Sequence, residues 1–159
     1  MTFDDIPSGT AVFVDANTLV YAILNDPAYG VACSRLLDRI EHQDIQGLTS
    51  SHVIQEAVHR IMTMEACARF GWPARGIAGR LRKHPNEVQQ LVIPRRAVDE
   101  IQAARVTGLP VTAQQVSTSV DLSRQLGLLS GDALIVAVMR DHGLSHLASL
   151  DADFDRVPG

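Results

Sequence analysis

The sequence predicts an α/β fold in which a parallel sheet is covered by helices on both faces. Three observations carry this expectation. The apolar run Ala11-Val12-Phe13-Val14 ends on Asp15 and gives way to helix-forming residues, the pattern of a buried strand feeding a helix. Strand and helix alternate again toward the carboxyl end. The stretch from Ala133 to Met139 is apolar on every side, which marks a helix buried all round. Strands separated by helices pair in parallel, because each crossover returns the chain to the same edge of the sheet.

Taken in order, Pro7, Ser8 and Gly9 make an irregular lead-in to a first strand at Ala11 to Asp15. A helix is expected from Asn17 to Leu24, broken by Asn25-Asp26-Pro27, and a second from Gly30 to Glu41 with Val31, Leu36, Leu37 and Ile40 toward the core. A short strand spans Ile45 to Thr49. Ser50 or Ser51 then caps a long helix from His52 to Arg69, whose apolar face is Val53, Ile54, Ala57, Val58, Ile61 and Met62. Gly71-Trp72-Pro73 stops it. Residues 71–107 read as an all-helical arm, with one helix from Ala74 to His84 and another opened by Pro85 and interrupted at Pro94. A strand at Leu109 to Thr112, a helix from Gln114 to Leu126, the buried helix ended by Gly143, and a last strand at His146 to Leu150 complete the pattern.

At 159 residues the chain suits a single domain, residues 1–159, with a sizeable core. Its 46% hydrophobic and 20% charged residues exclude disordered and fibrous classes. Its longest apolar run is too short to span a bilayer, and no Lys or Arg precedes Arg35, so the positive region of a secretory signal is lacking. A cytoplasmic protein with no membrane contact is expected. Cys33 and Cys67 are not closely spaced and suit reduced, buried thiols.

The net charge of −4 argues against a nucleic-acid partner until its distribution is considered. From Arg69 to Arg96 the bases are Arg69, Arg75, Arg80, Arg82, Lys83, Arg95 and Arg96, against the single acid Glu87. A solvated helix face is the commoner meaning of such a run. Arg75, Arg80, Arg82 and Lys83 are nonetheless candidates for contacting RNA.

Acids recur just beyond strands or in helices that follow them: Asp15, Glu56, Asp132, and the pair Asp151 and Asp153. Each has an ordinary explanation. Asp15 can cap a helix, Asp132 is favoured by the helix dipole, Glu56 falls opposite its helix's apolar face, and Asp151 and Asp153 suit a surface turn. Together they predict something more, because carboxylates gathered without bases repel one another and call for a cation. Hard oxygen donors suit Mg²⁺ or Mn²⁺, and there is no thiol or histidine cluster for zinc.

Four segments, in order, resemble the signatures of the PIN-domain nucleases: Val14-Asp15-Ala16-Asn17-Thr18-Leu19; Thr49-Ser50-Ser51 ahead of Glu56; Gly127-Leu128-Leu129-Ser130-Gly131-Asp132-Ala133-Leu134-Ile135-Val136-Ala137; and Leu147-Ala148-Ser149-Leu150-Asp151-Ala152-Asp153-Phe154. Among them, the VapC-like ribonuclease toxins of bacterial toxin–antitoxin pairs are the most similar group. The resemblance implies a three-layer α/β/α fold and a Mg²⁺- or Mn²⁺-dependent endoribonuclease. By position it makes Asp15, Glu56, Asp132 and Asp151 the catalytic acids, with Asp15, Asp132 and Asp151 as metal ligands. Asp153, Asn17 and Ser51 become assisting residues, and Thr18 a weaker candidate. It also implies an RNA substrate, a VapB-like antitoxin and a homodimer.

Two departures stand out. The segment between Glu56 and Asp132 is longer than a small toxin of this group needs, and Leu150 stands where a more polar residue is usual. Rival readings are a non-catalytic PIN-like module that binds RNA or a partner, and a housekeeping RNA-processing nuclease. A dehalogenase-type phosphatase would need a second Asp where Asn17 stands. A di-iron bundle would need a second Glu-x-x-His beside that of Glu56 and His59, and the chain has none.

Overall fold

The computed structural model describes residues 3–158. Strands β1 (Ala11–Val14), β2 (Gln46–Ser50), β3 (Thr107–Leu109) and β4 (Leu147–Ala148) form a parallel sheet in the order β3-β2-β1-β4. The helices are α1 (Ala16–Ile23), α2 (Gly30–Glu41), α3 (Ser51–Phe70), α4 (Ile77–Arg82), α5 (Pro85–Val88), α6 (Ile93–Ala103), α7 (Ala113–Leu126) and α8 (Ser130–Asp141), and they build the expected three-layer α/β/α arrangement. Among the described residues, no single helix is long and apolar enough to cross a membrane.

Val12, Phe13 and Val14 are all fully buried, because β1 lies inside the sheet with helices over both faces. Register then decides what meets at the carboxyl edge. Val14 pairs with Ala148, and the Asp15 N–H donates to the Ala148 carbonyl at 3.1 Å, so Asp15 emerges beside Ser149. On the other side Phe13 pairs with Leu48, which brings Ser50 and the start of α3 to the same edge. Gly47 lets α2 close on the sheet: a Cβ there would lie 2.6 Å from Ile40.

The main core joins the strands to Leu19, Leu36, Ile61, Ile101, Ile135 and Val138. Helix α8 is buried all round, as expected. Its Leu134, Ile135, Val138 and Met139 enter the main core, while Ala133, Val136 and Ala137 pack with Leu122 of α7 and with Leu128.

Residues 71–107 divide in two. Helix α4 packs through Ile77 and Leu81 on Ala66, near the carboxyl end of α3. Helix α6 instead lies along α3 and sends Ala97 and Ile101 into the main core. Pro94 stands in the first turn of α6 and begins that helix where an interruption was expected, since a first-turn residue has no intrahelical N–H bond to lose. The third strand also lies two residues earlier than expected and stops before Pro110, which has no N–H for the ladder.

Candidate active site

Asp15 ends β1 and caps α1. Its Oδ1 accepts from the Ala16 N–H at 2.6 Å and its Oδ2 from the Ser149 hydroxyl at 2.8 Å, and the residue is only 5% exposed. Burial raises its carboxyl above the ordinary range. The Ser149 hydroxyl, the Ala16 N–H and the Arg60 charge oppose that rise, and the Asp151 charge adds to it.

Asp132 stands in the first turn of α8, where the helix dipole favours a negative charge. Even so, its carboxyl is pushed up to about 6, first by burial and then by the charges of Asp151, Asp15, Asp153 and Glu56. The other four acids singled out in the sequence therefore all reach Asp132, and Asp151 also acts on Asp15. The first turns of α3 and α8 meet near them, since a Cβ at Gly131 would lie 3.5 Å from His52 Nε2. Glu56, one turn beyond His52 on α3, presents its charge to this pocket.

Asp151 and Asp153 differ in their engagements. The Asp151 N–H donates to Ser149 Oγ at 3.1 Å, and Asp151 Oδ1 accepts from the Asp153 N–H at 2.9 Å, capping a short 3₁₀ turn at Ala152–Arg156. The Asp153 carboxylate pairs with Arg156 at 2.8 Å. Asp151 has no ion pair among the described residues. Asn17 joins the site by accepting from Arg60 Nη1. Ser51 and Thr18 are engaged with backbone groups: Ser51 Oγ accepts from the Val111 N–H at 3.3 Å, and the buried Thr18 hydroxyl donates to the Ala148 carbonyl at 2.9 Å. Arg75, Arg80, Arg82 and Lys83 are exposed on and beside α4, among residues packed on the far half of α3.

Residues 12–159 match the PIN domain family profile. This chain belongs to the PIN domain family. Over 149 residues it is 26% identical to a VapC ribonuclease of Mycobacterium bovis and, equally, to ribonuclease VapC13 of Mycobacterium tuberculosis, covering 93% of this chain and 95% of each relative. Its fold is similar to that of VapC20 of M. tuberculosis, described as a sarcin–ricin-loop-cleaving toxin, with a TM-score of 0.59 and 21% identity over 91% of this chain and 92% of that one. It is also similar to VapBC2 of Rickettsia felis bound to a fragment of promoter DNA, with a TM-score of 0.57 and 18% identity over 93% of each chain. The family resemblance drawn from the four ordered segments is thus borne out.

Two residues of this PIN domain's pocket escape a reading of the sequence. Ser149 bridges Asp15 and Asp151, and Arg60 is the cation whose charge acts on Asp15. A signal existed for both, since Arg60 follows Glu56 by four residues, one turn along the same helix face, and Ser149 precedes Asp151 by two.

The donor set is all oxygen and of one charge, which suits a hard divalent cation, and the raised Asp132 carboxyl reflects burial first and then repulsion from the other acids, both of which such a cation would offset. Among the described residues, no three His, Cys, Asp or Glu side chains already stand close enough to hold an ion. The acids share one field without a closed ligand cage.

Proposed function

We propose that this PIN domain is a Mg²⁺- or Mn²⁺-dependent endoribonuclease and the toxin half of a VapBC-type pair. The observation that supports this best is the gathering of acids at one edge, where Ser149 bridges Asp15 and Asp151 and the charges of Asp15, Glu56, Asp151 and Asp153 all reach the partly buried Asp132. In this reading Asp15, Asp132 and Asp151 hold the metal, and Glu56 is the fourth catalytic acid. Asp151 is preferred to Asp153 as the late acid because Asp153 is already engaged in an ion pair with Arg156. Asp153 and Asn17 assist, whereas the Ser51 hydroxyl is engaged with Val111 and is given no catalytic part.

A bound divalent cation supplies a water of lowered pKa and neutralises charge on the phosphate. The chain's own groups do the rest. Ser149 fixes the Asp15 carboxylate by donating to Oδ2 and so sets where Oδ1 and Oδ2 face. Glu56, the acid without a ligand role, takes the proton released when water oxygen bonds to phosphorus and the P–O ester bond breaks. The departing oxygen leaves with a proton from solvent. Arg60, held by Asn17, places a positive charge beside Asp15 and toward an incoming phosphate.

The names of the relatives support an RNA substrate, and the VapBC assembly supports an antitoxin partner. A homodimer and a cytoplasmic location belong to the same reading, as does treatment of residues 1–159 as one domain.

Incubating total RNA with purified protein in Mg²⁺ or Mn²⁺, with and without chelator, tests the proposal. Cutting that requires metal is expected. A protein that neither cuts RNA nor takes up Mn²⁺ in a calorimetric titration is instead a binding module, and the nuclease assignment falls.

A further inference from the structure

We propose that the cleft between α3 and α4 is a nucleotide subsite that grips the RNA strand next to the scissile phosphate. This rests on the nuclease reading and names how its substrate is held. The cleft has a volume of about 300 Å³ and is lined by His59, Met62, Ala78, Leu81, Arg82 and Val88. His59 follows Glu56 by three residues, so the near end of the cleft lies one helical turn along α3 from Glu56.

The lining is chemically divided. Met62, Ala78, Leu81 and Val88 give an apolar wall suited to the face of a base, while Arg82 and His59 are exposed at the mouth. Single-stranded nucleic acid is held by this pairing of an apolar or aromatic platform for bases with cations for phosphates.

The basic run of the sequence separates into two kinds of residue. Arg69 pairs with Glu65, Arg95 with Asp99 and Arg96 with Glu100. Arg75, Arg80, Arg82 and Lys83 have no carboxylate partner among the described residues, and all four are exposed. Arg80 lies 4.5 Å from the centre of the Trp72 ring, which also packs on Phe70 and His84. That stack holds α4 beside α3 with its charge intact. An apolar cleft with Arg82 in its lining, and with Arg75, Arg80 and Lys83 exposed on and beside the same short helix, fits a polyanion with planar bases better than a merely solvated helix face.

The test uses a fluorescein-labelled single-stranded RNA, with binding read by anisotropy in chelator and with Asp15→Asn in every protein to prevent cutting. Arg75→Gln, Arg82→Gln and Lys83→Gln together should weaken binding at least ~10-fold. They should also reduce the slope of log affinity against log salt by about 2, given ~0.7 per lost phosphate contact on a single strand. Ala78→Leu, which fills the cleft, should weaken binding without changing the slope. Arg95→Gln with Arg96→Gln removes charge outside the cleft and should change affinity less than ~2-fold, within the range of surface changes.

In the chain that retains Asp15, the triple variant should raise KM and leave kcat near the wild-type value. Unchanged affinity and slope in the triple variant overturn the subsite and favour an acidic protein segment as the occupant of α4. Equal losses in the Arg95 and Arg96 variant also overturn it, by showing only bulk charge. If the wild type cuts no RNA in Mg²⁺ or Mn²⁺ while α4 still governs binding, the nuclease reading fails and the RNA-holding surface survives.

Discussion

The Ser149 hydroxyl donates to Asp15 Oδ2 at 2.8 Å while accepting from the Asp151 N–H at 3.1 Å. One small side chain thereby couples the acid that ends β1 to the acid that follows β4. A hydrogen bond to a charged group contributes ~1.5–3 kcal/mol, and ~1.4 kcal/mol is a factor of ten in rate. Ser149→Ala is expected to lower kcat at least ~10-fold with Mn²⁺ and, because the same bond also holds the folded edge together, to lower the melting temperature by about 3–8 °C. Since Ser149 also holds the Asp15 carboxyl down, the acid limb of the pH–rate profile should move to higher pH. Wild-type kcat in Ser149→Ala would leave the bridge without a catalytic part.

Protonation offers a second test, made without metal. The folded-state carboxyl of Asp132 is raised from 3.8 to about 6, so between those values the native chain holds a proton that the unfolded chain has released. The resulting stability is fully present below the window and lost as the pH rises through about 6. Asp132→Asn cannot ionise and escapes the loss. Its melting temperature should exceed that of the metal-free wild type at about pH 7.5, and the gain should shrink toward zero at about pH 4. An advantage equal at both pH values would remove ionisation as its cause.

How far the sequence discloses this site depends on how local each signal is. Asp15 and Asp132 announce themselves because an apolar run next to an acid is a local pattern that a strand end or a buried helix explains. Periodicity sets Glu56 opposite its helix's apolar face, and it does avoid the core, but its charge reaches Asp132. Ser149 and Arg60 act through contacts made only when β4 meets β1 and α3 meets α1. Periodicity carries no trace of such meetings. The pairing of Arg156 with Asp153 and, among the described residues, with no other acid of the site is likewise a property of the folded turn. The helices were legible, while the third strand was misplaced by two residues because Thr107-Gly108 lacks the β-branched apolar density that Val111 suggested.

Glu65 predicts a stability effect separate from catalysis. It is 6% exposed, and its two oxygens accept from the Val92 and Ile93 N–H groups at 3.0 Å each, anchoring the start of α6 to α3. Glu65→Ala leaves two donors unpaired and should cost about 2 kcal/mol, read from the denaturant midpoint. Glu65→Gln, which keeps an acceptor, should cost less. A midpoint unmoved by Glu65→Ala would contradict this capping role.

Gly47 tests the packing of α2 on the sheet. A Cβ at this position would lie 2.6 Å from both Cδ1 and Cγ2 of Ile40, and a branched side chain gives way poorly. Gly47→Ala should destabilise by ~1–3 kcal/mol through overpacking while leaving Mn²⁺ affinity unchanged. A loss of metal affinity with unchanged stability would contradict this separation of core and site.

The central claim is that the converged acids form one metal-dependent RNA-cleaving centre organised on Asp15. Its most direct measurement compares RNA cleavage by wild type and Asp15→Asn, purified identically and assayed in Mn²⁺ with matched chelator controls. The account predicts cutting by the wild type that the chelator abolishes, and a loss of at least ~100-fold in the variant, as removal of a group acting on the transition state implies. Metal-dependent cutting that persists at the wild-type rate in Asp15→Asn would contradict it.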